Sequence, residues 1–125
     1  MTVVVDTSVL IDVLRGRAEA AQVLREARLV GPIHASEVTR LEVLAGMRPA
    51  EEVATREFLR AFVWHPLDEN LAEIAGELGR RWLPAHRGID AADLIIAATA
   101  IALDAELFTL NLKHFPMFSK LTAPY

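Results

Sequence analysis

A three-layer α/β/α sandwich around a short, mostly parallel central sheet is the fold class this sequence predicts, on three observations. Val3 to Val5 form a continuous β-branched run, the pattern of a strand buried on both faces. Short strand patterns then alternate with helical patterns along the chain, which implies parallel strands joined by helical crossovers. No repeat, low-complexity tract or Gly/Ser- or Pro-rich linker interrupts them, so residues 1–125 are expected to form a single domain.

The opening strand is followed at once by Asp6, Thr7 and Ser8, which begin a helical pattern ending near Gly16. Residues 18–28 read as a second helix, 29–34 as a short strand, and 36–45 as a helix stopped by Gly46 and Pro49. Two more helices are expected over 50–62 and 68–83. The last third returns to the opening pattern, with an apolar helix over 90–103, a strand over 107–110, then Asn111 and a short turn of helix.

With 53% hydrophobic residues the chain can fill a core, and its formal charge of −4, from 13 basic and 17 acidic residues, argues against coating nucleic acid by bulk charge. Eleven of the 13 basic residues are arginine, so an anionic partner would be gripped locally, by bidentate contacts. The absence of cysteine excludes disulfides, thiolate metal ligands and a Cys nucleophile. No stretch reaches the roughly 18 apolar residues of a membrane helix, and Asp6 interrupts the apolar start where a signal peptide needs continuity. A soluble, cytoplasmic protein with no membrane partner is expected.

Ligands of open parallel sheets bind beyond the carboxyl ends of the strands, and Asp6 falls there; in isolation it serves equally well as a helix cap. Glu42 lies in SEVTRLEVLAG among Leu41, Val43 and Leu44, where a solvated carboxylate is the ordinary outcome. Thr39 and Glu42 have capping-box spacing, but Glu42 is too deep in the helix for that role, and Glu37 is a surface decoy. Asp93 precedes LIIAATAIAL, apolar nearly all round and therefore buried, with Asp90 as the natural N-cap. Asp93 alone would complement the helix dipole. Three carboxylates in one cleft would repel one another unless a cation neutralised them. An all-oxygen set, without Cys or a paired His motif, selects Mg2+ or Mn2+ and suits metal-assisted phosphodiester hydrolysis. His34, His65 and His86 share no metal-ligand spacing, and Trp64 and Trp82 read as core or interface aromatics.

Four blocks, VVVDTSVLIDVL, SEVTRLEVLAG, DAADLIIAATAIAL and FTLNLKHF, stand in an order and spacing that span essentially the whole chain. They resemble the PIN-domain ribonucleases, specifically the VapC toxins of type II toxin–antitoxin systems. The resemblance implies a PIN-like fold and a Mg2+- or Mn2+-dependent RNA endonuclease. It also implies a homodimer or toxin–antitoxin hetero-oligomer, silenced by a VapB-like antitoxin whose C-terminal segment wraps the toxin. Carried over by position, the catalytic and metal-binding acids fall on Asp6, Glu42 and Asp93. Thr7 and Ser8 match the small hydroxyl residues after the first acid, and Thr109 the Thr of the final T-x-[DN] block. Asn111 stands where the wider family often has a fourth acid, and His114 where many toxins carry an acid before Phe. An Asn carbonyl can bind a metal-held water but brings no charge, so Asn111 and Asp90 are the auxiliary candidates.

In such a site Asp6 and Asp93 would hold the ion, Glu42 would orient a water or accept its proton, and in-line attack would leave a 5′-phosphate and a 3′-hydroxyl. Arg15, Lys113 and His114 are the candidates for RNA backbone contacts. Val53, Phe58, Leu59, Phe62 and Val63 offer an apolar helix face for the antitoxin or a second protomer. Three rival classes stand beside this one. A phosphoaspartyl fold also places Asp after its first strand, but Ser8 occupies the position of its phosphatases' second Asp. A PIN-fold RNA- or partner-binding module would keep the fold with a weakened metal site, and an RNA-processing nuclease would keep the chemistry without being a toxin.

Overall fold

The computed structural model describes residues 1–125. Four strands, β1 (Val3–Val5), β2 (Ile33–Ser36), β3 (Val63–His65) and β4 (Glu106–Phe108), pair in parallel in the order β3-β2-β1-β4. The helices are α1 (Thr7–Leu14), α2 (Ala18–Val30), α3 (Glu37–Ala45), α4 (Glu52–Leu59), α5 (Glu69–Trp82) and α6 (Ala91–Ala102), with 3-10 turns at Pro49–Glu51 and Leu112–His114.

The β-branched opening run works as a two-sided strand, with Val3, Val4 and Val5 all at most 3% exposed. Val3 and Val5 face one side and pack with Val9 and Leu10 of α1, Leu24 of α2 and Leu59 of α4. Val4 faces the other, against Ile96, Ala97 and Ala100 of α6. Helices thus cover both faces of the sheet, as a parallel sheet requires, and the expected three layers result. Helix α5 completes the second layer by packing on α6 through Leu71, Ala75, Leu94 and Ala98.

Strand order carries the functional consequence. The chain steps outward from β1 to β2 to β3, then returns to place β4 on the opposite side of β1, so the topological switch lies between β1 and β4. Helix α6 leads directly into β4 and runs back along the sheet, which sets its N-terminus at the carboxyl edge of the strands. Helix α3 starts from that same edge, because it follows β2 without a break, Ser36 capping it by accepting from Val38 N–H at 3.1 Å.

Several expected boundaries are corrected. Residues 29 and 30 end a helix rather than begin a strand: Leu29 and Val30 are 88% and 65% exposed, and the real break is the extended Gly31 followed by Pro32. Strand β3 was not anticipated at all. It is a three-residue edge strand whose first side chain, Val63, is exposed, so neither burial nor alternation marks it. The helix expected over 50–62 is the 3-10 turn plus the shorter α4, and β4 begins and ends earlier than 107–110.

Candidate active site

Asp6 is the first residue beyond β1 and is 3% exposed; its N–H still donates to Phe108 C=O at 2.8 Å, extending the β1–β4 pairing. It occupies the N-cap position of α1, yet its side chain makes no capping hydrogen bond. It turns instead across the switch point, where Oδ2 accepts from Ser8 Oγ at 2.8 Å and from Thr109 Oγ1 at 2.7 Å. Both hydroxyls are themselves aimed, since Leu110 N–H donates to Ser8 Oγ and Asn111 N–H to Thr109 Oγ1. Oδ1 of Asp6 meets no protein donor. No fully buried polar side-chain atom lacks a partner, so this oxygen reaches solvent.

Glu42, half-buried on α3, faces α1. Its Oε1 accepts from Thr7 Oγ1 at 2.7 Å, and Thr7 Oγ1 lies 3.0 Å from Thr39 Oγ1. Glu37 is the decoy expected, turned to the surface and paired with Arg40.

Asp93, 7% exposed, and Asp90 form a reciprocal capping box: Asp93 N–H donates to Asp90 Oδ1 at 2.9 Å and Asp90 N–H to Asp93 Oδ2 at 3.1 Å. Asp90 is therefore the cap, and Asp93 Oδ2 also lies 3.2 Å from His114 Nδ1. Burial pushes the Asp93 carboxyl up to about 6; the Asp90 N–H opposes the rise, the Asp90 charge adds to it and His114 lowers it.

Among the remaining candidates, the exposed Asn111 touches the network only through its backbone, its side chain making no hydrogen bond. Arg15 and Lys113 are exposed and carry no ion pair; Arg15 sits past the end of α1 beside Gly46, Met47 and Glu51, and Lys113 lies in the 3-10 turn after Asn111. His114 is drawn onto Asp93 rather than standing with them.

No three Asp, Glu or His side chains stand in an arrangement that would hold one ion between them. Each acid is turned to its own donors, as mutually repelling carboxylates would be. The donor chemistry nevertheless fits a hard divalent cation: three carboxylates, each with one oxygen committed to the protein and the other without a protein donor.

Two features escaped the sequence. Thr39 joins the Glu42 network, although its spacing from Glu42, three residues along one helix face, was the available signal. His34 Nδ1 and His65 Nε2 lie 2.8 Å apart, fastening β2 to β3; burial, aided by His65, holds His34 below its ordinary value, and the pairing was hidden because the two are 31 residues apart. Trp64 is half-buried and packs against the core cluster, donating from Nε1 to Leu59 C=O at 2.8 Å under the Arg40 guanidinium.

A family model described as the PIN domain matches residues 3–120. Ribonuclease VapC19 of Mycobacterium tuberculosis is 48% identical over 122 residues, which cover 97% of this chain and 98% of that protein. Ribonuclease VapC10 of the same organism is 42% identical over 123 residues, covering 98% and 92%. Among solved structures, a toxin–antitoxin complex from Klebsiella pneumoniae matches with a TM-score of 0.83 at 31% identity, over 99% of this chain and 98% of that one.

Proposed function

Because the chain belongs to the VapC branch of the PIN-domain family, we propose that it is the toxin of a type II toxin–antitoxin system, a Mg2+- or Mn2+-dependent endoribonuclease acting as one domain over residues 1–125. One observation carries this: at the carboxyl edge of the sheet Asp6, Glu42 and Asp93 are each anchored through one oxygen and leave the other without a protein donor.

Asp6 and Asp93 would hold the ion, with Glu42 facing the attacking water and Asp90 and Asn111 as auxiliary positions. Once bound, the ion would place positive charge on a phosphoryl oxygen and make a coordinated water more acidic. The remaining work belongs to the chain. Ser8 and Thr109 keep Asp6 pointed at the cleft, and Thr7 occupies Oε1 of Glu42 so that Oε2 receives the water's proton. The water oxygen bonds to phosphorus as the 3′-oxygen leaves and takes a proton from solvent, giving a 5′-phosphate and a 3′-hydroxyl. Arg15 and Lys113 supply backbone contacts at the rim, and His114 does so once released from Asp93.

The antitoxin's seat on this reading is an apolar groove of about 610 Å³ between α2 and α4, where Val13, Leu24, Leu29, Phe58, Ala61 and Phe62 line it. This modifies the expected interface. Leu59, 2% exposed, belongs to the core alone, Phe62, 8% exposed, sits in the core and forms part of the groove wall, and Val53, 85% exposed, lies outside the groove. An amphipathic antitoxin helix fits an apolar groove of this kind. The deciding experiment is RNA cleavage by the purified chain with Mg2+, with Mn2+ and with EDTA, followed by analysis of the ends. Ion-dependent cleavage to 5′-phosphates is expected; metal-independent cleavage to cyclic phosphates would refute the mechanism.

A further inference from the structure

The Thr7 hydroxyl has two oxygen neighbours and one proton. Glu42 Oε1 lies at 2.7 Å and Thr39 Oγ1 at 3.0 Å. An ionised carboxylate accepts and does not donate, so the Thr7 proton belongs on the shorter contact, toward Glu42. The Thr39 contact is then a hydrogen bond only if Thr39 is its donor. Thr39 is 0% exposed, so its hydroxyl has no water to turn to. A helical Thr ordinarily donates to the carbonyl one turn back, as Thr99 does to Ile95 C=O at 2.8 Å. Thr39 makes no such bond and reaches across to α1 instead.

We propose that Thr39 is a positioning residue for Glu42: its buried hydroxyl donates to Thr7 Oγ1, which fixes the proton order Thr39 to Thr7 to Glu42 Oε1 and leaves Oε2 as the oxygen offered to the cleft. Donation into the Thr7 oxygen also polarises the O–H that Thr7 gives to the carboxylate, because hydrogen bonds in a chain strengthen one another. Thr39 touches no reacting atom, and its effect passes through Thr7. The inference rests on the proposed nuclease reading, in which Glu42 accepts the proton.

Thr39→Val keeps the shape of the side chain and removes the hydroxyl, while Thr39→Ser keeps the hydroxyl. With Thr39→Val, kcat for RNA cleavage should fall about tenfold, the effect of one side-chain hydrogen bond, while KM and calorimetric Mg2+ affinity of the RNA-free protein stay within about twofold. Thr39→Ser should return kcat to within about twofold of wild type. In the metal-free protein, NMR should show a slowly exchanging Thr7 hydroxyl proton that moves upfield in Thr39→Val. If the valine variant melts early, Thr39→Ala replaces it, read against the same serine control. Wild-type kcat in the valine variant, failure of serine to restore it, or an unmoved Thr7 hydroxyl resonance would each overturn the proposal. A wild-type protein that cleaves no RNA would defeat the nuclease reading, and the hydroxyl resonance alone would then decide the proton order.

Discussion

At Asp6, two hydroxyls, each accepting from a backbone amide, donate to one carboxylate oxygen. Asp6→Asn keeps the size of the side chain and removes its charge, so RNA cleavage should be abolished with melting little changed; Glu42→Gln, which removes a proton acceptor, should cost about a hundredfold or more. Cleavage and melting measured on the same samples check both, and a folded Asp6→Asn protein that cleaves normally would remove Asp6 from the site. Asp93 gives a pH-dependent expectation. Its folded-state value of about 6 lies above the ordinary 3.8, so the folded protein holds this proton more tightly. The associated stability is full below about 3.8 and is lost as pH rises through about 6. Melting of metal-free wild type relative to Asp93→Asn should therefore worsen across that window, and parallel curves would show that burial does not disfavour the charge. Asn111→Asp adds a negative charge at the rim and should tighten divalent-ion binding, read by calorimetry. Unchanged affinity would place position 111 outside the ion's shell.

The elements around the site differ in how plainly they announce themselves. Helix α6 is apolar over LIIAATAIAL, and its Asp90–Asp93 box is spelled out by two acids three residues apart, so both its burial and its cap were legible. Helix α4 was legible as apolar but not in its partition, because a helical stripe does not say which of its residues meet the chain's own core. Packing makes that division: Leu59 joins the core cluster, while Phe58 lines the groove beside Leu29 of α2, 88% exposed. Phe62→Ser should destabilise the fold by about 3 to 5 kcal/mol, the usual cost of emptying an aromatic site, measured by denaturant unfolding. Leu29→Asp should leave melting unchanged and weaken antitoxin binding at least about tenfold, read by titration with the cognate antitoxin. An unaffected Leu29→Asp would move the antitoxin elsewhere. Edge strand β3 is the element that local pattern could not reveal, since three residues with an exposed valine lack periodicity and are held by pairing with β2.

Across the molecule, the order β3-β2-β1-β4 brings residues from far apart in the chain to one edge: Asp6 meets Thr109 across 103 positions and Thr7 meets Glu42 across 35. Composition, the β-branched opening run and the alternation of strand and helix patterns determined the fold class, because burial periodicity is written locally. The residue types and their places in four blocks determined which acids were candidates. What the sequence left open was what each acid does with its oxygens. A strand-end Asp followed by Thr and Ser reads equally as a helix cap, and only the fold brings Thr109, just past β4, to join Ser8 on its Oδ2. Thr39 reads only as a capping-box partner too deep in the helix to serve until α1 is laid against α3, and His34 and His65 read as unrelated until β3 pairs with β2. Hydrogen-bond partners lie across the fold, and their geometry is settled by how elements pack, which local spacing does not encode.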